Sequence, residues 1–246
     1  MAVSPDGRTA ITDDLFGTLR SWNLAADRLS PIELRASGRA MFRPIAISPD
    51  GRTVAARADN GTVRLLVAAT GRTLRTLTSP AAPRAQLPTS FAFAPDGRTL
   101  AVSGVHGTAS LWDLRSGKLR ATFAAGTSPL ASVTFSPDGR TLATASADSS
   151  LRLWDIATGQ DRATFDTGRA YAASMAFSPD GHILAVGTGV ATFTYNVPLP
   201  RPTAAITTVC AAVDRAPTPQ ETAVYRLDTT LPPACPRHNV QGSERQ

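Results

Sequence analysis

One feature of the sequence constrains the fold more than any other: a four-residue motif recurs five times at nearly constant spacing. It is Ser-Pro-Asp-Gly, or Ala-Pro-Asp-Gly in one copy, at residues 4–7, 48–51, 94–97, 136–139 and 178–181. Successive prolines lie 44, 46, 42 and 42 residues apart. A period of about 40 to 45 residues indicates a chain built from copies of one small structural unit.

A second landmark follows each proline after 17 residues, or after 16 in the last copy. It is Trp22-Asn23, Leu66-Val67, Trp112-Asp113, Trp154-Asp155 and Tyr195-Asn196. The Ser-Pro-Asp-Gly motif is predicted to form a turn, because proline presets the first corner of a type I turn, aspartate suits the second, and glycine takes the left-handed position behind it. We therefore expect a tight hairpin at each of Gly7, Gly51, Gly97, Gly139 and Gly181.

The residues around these turns predict four short antiparallel strands in each copy. In the fourth copy, Val133 and Phe135 alternate before the turn, and strands are expected at 142–146, at 151–155 and near 163–165. One such sheet cannot bury both of its faces, so neighbouring sheets must stack. We expect the repeated tryptophans, Trp22, Trp112 and Trp154, to fill the gaps between sheets.

With the turn and the Trp-Asp dipeptide in register, residues 1 to about 197 resemble WD-repeat proteins. The resemblance implies an all-β fold, a β-propeller of about five four-stranded blades that belongs to a larger, seven-bladed ring. The blades would span about 1–35, 36–79, 80–125, 126–167 and 168–197. The family often places a histidine between successive blades, but His106, His182 and His238 lie elsewhere. Packing should therefore matter more here than that polar network.

Residues 198–246 form a Pro-rich C-terminal tail for which we expect short helices. Thr218-Pro219-Gln220-Glu221 is a capping box with proline at the first helical position, and another helix is expected around 202–212. The tail resembles the C-terminal extension of bacterial WD-repeat proteins. Its two cysteines, Cys210 and Cys235, suit either a disulfide or two free thiols.

The fifth copy offers only three strands, since the prolines at 198, 200 and 202 oppose a fourth. Our hypothesis is that the chain is the C-terminal part of a longer product that supplies the missing strand and about two more blades. The open blade edges would otherwise lead to self-association or to completion by another polypeptide.

Composition and motifs narrow the classes of function. The hydrophobic fraction of 42% predicts a folded chain, and no long apolar run or signal peptide is visible, so we expect a cytoplasmic protein with no membrane segment.

The net charge of +6 rests on arginines spread along the chain, which argues against nucleic acid as a partner. No phosphate loop, metal-binding motif or nucleophile motif is present. We therefore expect no cofactor, no metal and no catalytic residue.

These observations predict a non-catalytic protein-protein interaction scaffold, free-standing or as the sensor arm of a larger signalling protein. The alternative is the propeller domain of a peptidase-like enzyme or of a periplasmic translocation-type protein, since Pro-Asp-Gly turns recur there too. Partner contacts should come from connecting loops, with candidates Phe16, Arg39, Phe42, Arg43, Arg84, His106, Arg169 and Tyr171.

A second set of charged residues follows the repeated turns directly. It comprises Arg8, Arg52, Arg98 and Arg140, with His182 in the fifth copy. These side chains would lie on one rim, either as a site for an anion or an acidic partner or as weak, solvated partners of the turn aspartates. We favour the second interpretation.

Overall fold

In the computed structural model, the described residues are 1–4, 6–14, 18–25, 32–34, 45–58, 61–78, 88–167, 172–189 and 191–197. They belong to one compact unit, Met1–Val197. Every regular element among the described residues is a β-strand. The predicted tail helices, together with Cys210 and Cys235, lie outside the described residues.

The strands form five antiparallel sheets, each holding one copy of the repeat with its strands side by side in chain order. Blade 1 consists of β1 (Ala2–Val3), β2 (Thr9–Asp13), β3 (Leu19–Asn23) and β4 (Ile32–Leu34). Blade 2 consists of β5 (Ile45–Ile47), β6 (Thr53–Arg57), β7 (Val63–Val67) and β8 (Thr73–Leu77). Blade 3 consists of β9 (Pro88–Phe93), β10 (Thr99–Gly104), β11 (Thr108–Asp113) and β12 (Lys118–Ala124).

Blade 4 consists of β13 (Leu130–Phe135), β14 (Thr141–Ser146), β15 (Ser150–Asp155) and β16 (Asp161–Asp166). Blade 5 has three strands among the described residues, β17 (Ala172–Phe177), β18 (Ile183–Thr188) and β19 (Thr192–Asn196). The first strands lie beside one another in series, β1 by β5, β5 by β9, β9 by β13 and β13 by β17. The predicted all-β propeller of five blades is thus confirmed.

The repeated Ser-Pro-Asp-Gly motif forms the hairpin turn between the first and second strands, as its sequence predicts. In blade 4, the Gly139 N–H donates to the Ser136 carbonyl oxygen at 2.9 Å, and Gly139 has a φ of +68°. The Ser136 hydroxyl donates to Asp138 Oδ1 at 2.5 Å and accepts the Thr141 N–H at 2.9 Å. Serine therefore closes the turn that proline, aspartate and glycine shape.

Each buried cluster of apolar side chains joins two successive blades. We call the face of a blade toward the next blade in the chain its forward face, and the face toward the preceding blade its backward face. Leu111 and Phe123 on the forward face of blade 3 pack with Leu142 and Trp154 on the backward face of blade 4. The ring centroids of Phe123 and Trp154 are 5.4 Å apart. Three further clusters join blades 1 and 2, blades 2 and 3, and blades 4 and 5.

The tryptophans occupy equivalent places in the third strands of blades 1, 3 and 4, opposite Ala10, Leu100 and Leu142 of the second strands. The indole N–H groups of Trp22 and Trp154 donate to the hydroxyls of Thr12 and Thr144, each at 2.9 Å. At the same position in blade 3 stands Val102, which offers no acceptor to Trp112. Two of the three tryptophan side chains are thus held by a hydrogen bond as well as by packing.

The first prediction concerns this hydrogen bond. Thr144→Val keeps the shape but leaves the buried Trp154 N–H without its acceptor, so unfolding should become easier by about 1–3 kcal/mol. Val102→Thr is the matched control, because it supplies an acceptor beside Trp112 and should leave stability unchanged or raised. Urea unfolding measures both variants, and equal losses would show that the bond contributes nothing.

The second prediction compares two glycines with left-handed backbones. A Cβ at Gly159, where φ is +73°, would meet no atom within 4 Å, so Gly159→Ala should cost only backbone strain, about 1–2 kcal/mol. A Cβ at Gly107, where φ is +69°, would lie 2.3 Å from the Gly126 carbonyl oxygen. Gly107→Ala should therefore cost about 2–5 kcal/mol in denaturant titrations, and a cost equal to that at Gly159 would contradict the geometry.

Candidate functional site

The antiparallel strands leave two rims, one at each end of the blades. The turn rim carries the Pro-Asp-Gly turns and the turns between third and fourth strands. The loop rim carries the turns between second and third strands and the connections between blades. Most of the predicted loop-rim contacts lie outside the described residues, namely Phe16, Arg39, Phe42, Arg43, Arg84, Arg169 and Tyr171.

His106 is the predicted loop-rim residue that the structure describes. It is exposed in the turn between β10 and β11. The carbonyl oxygen of the following residue, Gly107, accepts the Ala125 N–H at 2.8 Å. This bond ties the turn that carries His106 to the start of the connection that leads to blade 4.

On the turn rim, successive Pro-Asp-Gly turns lie close together. A Cβ built on Gly139 would lie 3.6 Å from Pro95 Cδ of the preceding turn, and one on Gly181 would lie 3.5 Å from Pro137 Cδ. A Cβ on Gly97 would lie 3.9 Å from Pro49 Cδ, and one on Gly51 would lie 3.4 Å from Ser4 Cβ. The five turns therefore form a continuous row, and its exposed basic side chains are Arg8, Arg52, Arg98, Arg140 and His182.

The aspartates of this row are engaged within their own turns. Asp50 Oδ1 accepts the Ser48 hydroxyl at 2.5 Å and the Arg52 N–H at 3.0 Å. The serine hydroxyl, followed by the Arg52 N–H, lowers the pKa of Asp50, and the nearby charge of Arg52 adds to the effect. In the third turn Ala94 replaces the serine, and Asp96 accepts the Arg98 N–H at 2.8 Å.

These carboxylates therefore act as local hydrogen-bond acceptors, which is a structural role. Among the residues that the structure describes, no group of three or more His, Cys, Asp or Glu side chains is placed to hold a metal ion.

A cleft of about 320 Å³ opens on the turn rim between blades 3 and 4. Its floor includes Phe135 and Ile156, and its charged lining consists of Asp96, Arg120, Asp138, Arg140, Asp155 and Arg162. Three guanidinium groups thus stand among three carboxylates above an apolar floor.

The structure shows a role for Arg162 that the sequence interpretation missed. Pairing of β15 with β16 shifts register between Leu153 and Trp154, which makes Arg162 the extra residue of a β-bulge. Its Nε donates to Asp155 Oδ2 at 3.1 Å, Nη2 also contacts that oxygen, and Nη1 donates to the Thr141 hydroxyl at 2.8 Å. This guanidinium lowers the pKa of Asp155 to about 2.

The same bulge position holds Arg120 in blade 3 and Leu74 in blade 2. All three residues lie 25 positions after the proline of their copy, and this constant offset is the sequence signal that would have singled them out. A bulge turns a side chain away from the alternating pattern, so ordinary strand periodicity does not assign it to a face.

A smaller cleft, about 260 Å³, lies at the corresponding place between blades 2 and 3. Arg75 lines it and reaches across to blade 3, where Nη1 and Nη2 donate to the carbonyl oxygens of Ser116 and Arg115, each at 3.2 Å. A Cβ at Gly117 would lie 2.5 Å from Nη1, so a side chain there would require the Arg75 guanidinium to shift. Arg75 therefore joins the two blades by hydrogen bonds.

The third prediction concerns the acid sensitivity of the bulge in blade 4. Because the folded pKa of Asp155 is depressed from 3.8 to about 2, the stability it contributes is fully present above pH 4 and is lost as pH falls toward 2. Arg162→Met should lower stability by about 1 kcal/mol at pH 7 and by clearly less near pH 2, where about half of the Asp155 carboxyl groups are protonated. Urea unfolding across this range gives the difference from the unmodified protein.

The matched control for that measurement is Arg120→Met at the equivalent bulge of blade 3. Arg120 acts on Asp113 through charge, whereas the largest influence on the pKa of Asp113 is its hydrogen bond from the Ser116 hydroxyl. The control should therefore show a weaker loss at pH 7. A loss at Arg162→Met that persists unchanged at pH 2 would contradict the assigned role of the ion pair.

Comparison with known proteins agrees with the geometry. The family model of the WD domain, G-beta repeat, matches residues 71–113 and 117–155. Each matched segment begins beside the fourth strand of one blade, β8 or β12, and ends with the third strand of the next, β11 or β15. No curated protein matches the chain.

Among the described residues, no helix has the length and apolar character needed to span a membrane. The WD-repeat propeller is typical of protein-interaction scaffolds and is generally non-catalytic. The repeated turns, the five stacked sheets and the match to the family model together identify this chain as a WD-repeat β-propeller protein.

Proposed function

We propose that this chain is a non-catalytic platform that binds a protein partner, either free-standing or as the sensor arm of a larger signalling protein. The observation that carries this proposal is that the broad faces of the sheets pack against neighbouring blades. Each of the four apolar clusters is buried between successive blades. Since the broad faces are engaged in packing between blades, the rims are the surfaces left for recognition.

Of the two rims, we propose the loop rim as the main contact surface. Its connections carry the aromatic and arginine residues that are enriched at binding hot spots, including Arg43 and Tyr171. On the turn rim, each exposed arginine stands beside an aspartate of its own turn, as Arg140 stands beside Asp138. A row of locally balanced charges attracts an acidic partner weakly.

The fourth prediction tests this choice. A partner would first be identified by cross-linking to the full chain and then purified for binding measurements. Arg43→Ala combined with Tyr171→Ala should weaken its binding at least about tenfold, the loss expected of hot-spot residues. Isothermal titration at two salt concentrations gives the affinities.

The matched control is Arg98→Ala combined with Arg140→Ala on the turn rim, which should change affinity by less than about threefold. A larger loss at the turn rim, with a steep dependence on salt, would instead assign binding to the arginine row. If the cross-linked material is a small-molecule substrate that the chain converts, the scaffold proposal fails.

A further inference from the structure

The place that Arg75 fills between blades 2 and 3 is open between blades 3 and 4. In the fourth strand of blade 2, Arg75 pairs with Leu65. At the same place in blade 3, Ala121 pairs with Leu111. Both Arg75 and Ala121 lie 26 positions after the proline of their copy. Because an alanine side chain ends at Cβ, this position of blade 3 supplies no guanidinium to blade 4.

The turn between the third and fourth strands has the same backbone in blades 3 and 4. In blade 3, the Gly117 N–H donates to the Asp113 carbonyl oxygen at 2.8 Å, and in blade 4 the Gly159 N–H donates to the Asp155 carbonyl oxygen at 2.8 Å. The two glycines have φ values of +72° and +73°. The carbonyl groups within these two turns are therefore equivalent.

The carbonyl oxygens of Ala157 and Thr158 in blade 4 correspond to the two oxygens of blade 3 that accept the Arg75 guanidinium. No described residue donates a hydrogen bond to either of them. The space beside them is also open, because a Cβ on Gly159 would meet no atom within 4 Å. A Cβ on Gly117 would instead lie 2.5 Å from Arg75 Nη1. Blade 4 thus presents a receptor for a guanidinium that no described residue fills.

This open place adjoins the cleft between blades 3 and 4, since Ala157 lines that cleft. The other parts of the lining suit an arginine side chain. Phe135 and Ile156 form an apolar floor, on which the methylene groups of an arginine can pack. The Asp96 carboxylate belongs to the same lining and favours a cation.

The arginines already in the cleft do not form a ready site for an acidic group, because each faces an aspartate. The pairs are Arg162 with Asp155, Arg140 with Asp138, and Arg120 with Asp113. An acidic ligand would have to compete with these carboxylates. A guanidinium meets no such competition at the two carbonyl oxygens, so the lining favours a basic ligand.

We propose that the cleft between blades 3 and 4 binds an arginine side chain of a protein partner, whose guanidinium donates to the carbonyl oxygens of Ala157 and Thr158. The partner's arginine takes the part that Arg75 has within the chain at the preceding junction. The subsite serves the proposed role as a protein-binding platform, but it lies on the turn rim. Its failure would therefore leave the proposal for the loop rim standing.

The fifth prediction uses the peptide acetyl-Gly-Arg-Gly-amide as the probe, because it carries the proposed ligand group alone. In NMR titrations of the full chain it should shift the backbone amide signals of residues 157–159. Its affinity should be at least about tenfold higher than that of acetyl-Gly-Glu-Gly-amide. Arg75→Ala should create a second site for the arginine peptide at residues 115–117, because it opens the equivalent place between blades 2 and 3.

Two variants of β12 locate the contact. Ala121→Arg supplies the guanidinium from within the chain and should weaken binding of the arginine peptide at residues 157–159 at least about tenfold. Thr122→Arg is the matched control, because it adds the same charge on the opposite face of the strand. It should change the affinity by less than about twofold. The dispersion of the amide signals shows whether each variant keeps its fold.

Absence of shifts at residues 157–159 in the unmodified chain would overturn the proposal. An affinity for the glutamate peptide that equals or exceeds that for the arginine peptide would overturn it too, and would assign the cleft to an acidic ligand. Unchanged affinity in a folded Ala121→Arg variant would have the same result. If that variant does not fold, Arg75→Ala decides, since it must gain the second site for the proposal to stand.

Discussion

The whole structure depends on the packing of a large side chain from one blade into the apolar face of the blade before it. A four-stranded sheet of this size has two broad faces, and no helix among the described residues covers either. Trp154 between blades 3 and 4 shows the solution, since it lies against Phe123 and is held by Thr144. In blade 5, Tyr195 takes the place of the tryptophan and packs against Phe165, with ring centroids 5.1 Å apart. The aromatic contact is kept although the residue type changes.

Much of this fold could be predicted from the sequence because its determinants are local. The Pro-Asp-Gly turn needs a few adjacent residues, so five copies locate five hairpins, and the tryptophan 17 residues later locates the third strand. The bulges at Arg120 and Arg162 escaped prediction because a bulge is a property of pairing between two strands, which alternation within one strand does not show. The contact from Arg75 to Ser116 was missed for the same reason, since it spans 41 positions in the chain.

The candidate site was predicted less completely than the fold. Sequence reasoning assigned the turn aspartates a local role, and their hydrogen bonds to serine hydroxyls and backbone N–H groups agree with that assignment. It placed partner binding on the connecting loops, where His106 is the one candidate within the described residues. The cleft between blades 3 and 4 was not foreseen, because its lining brings Asp96 and Arg120 of one blade beside Arg162 of the next, and no residue pattern within a single blade encodes that.

The apolar clusters each join adjacent blades, and this arrangement has a consequence for how such a protein changes over generations. Inserting or deleting one whole repeat, a segment of some forty-odd codons, would replace one junction with another of the same chemistry. Loss of a single codon within a strand would instead turn the remaining side chains of that strand to the opposite face of the sheet. Gain or loss of a whole repeat therefore preserves the chemistry of the junctions between blades, whereas loss of one residue inside a strand disrupts it.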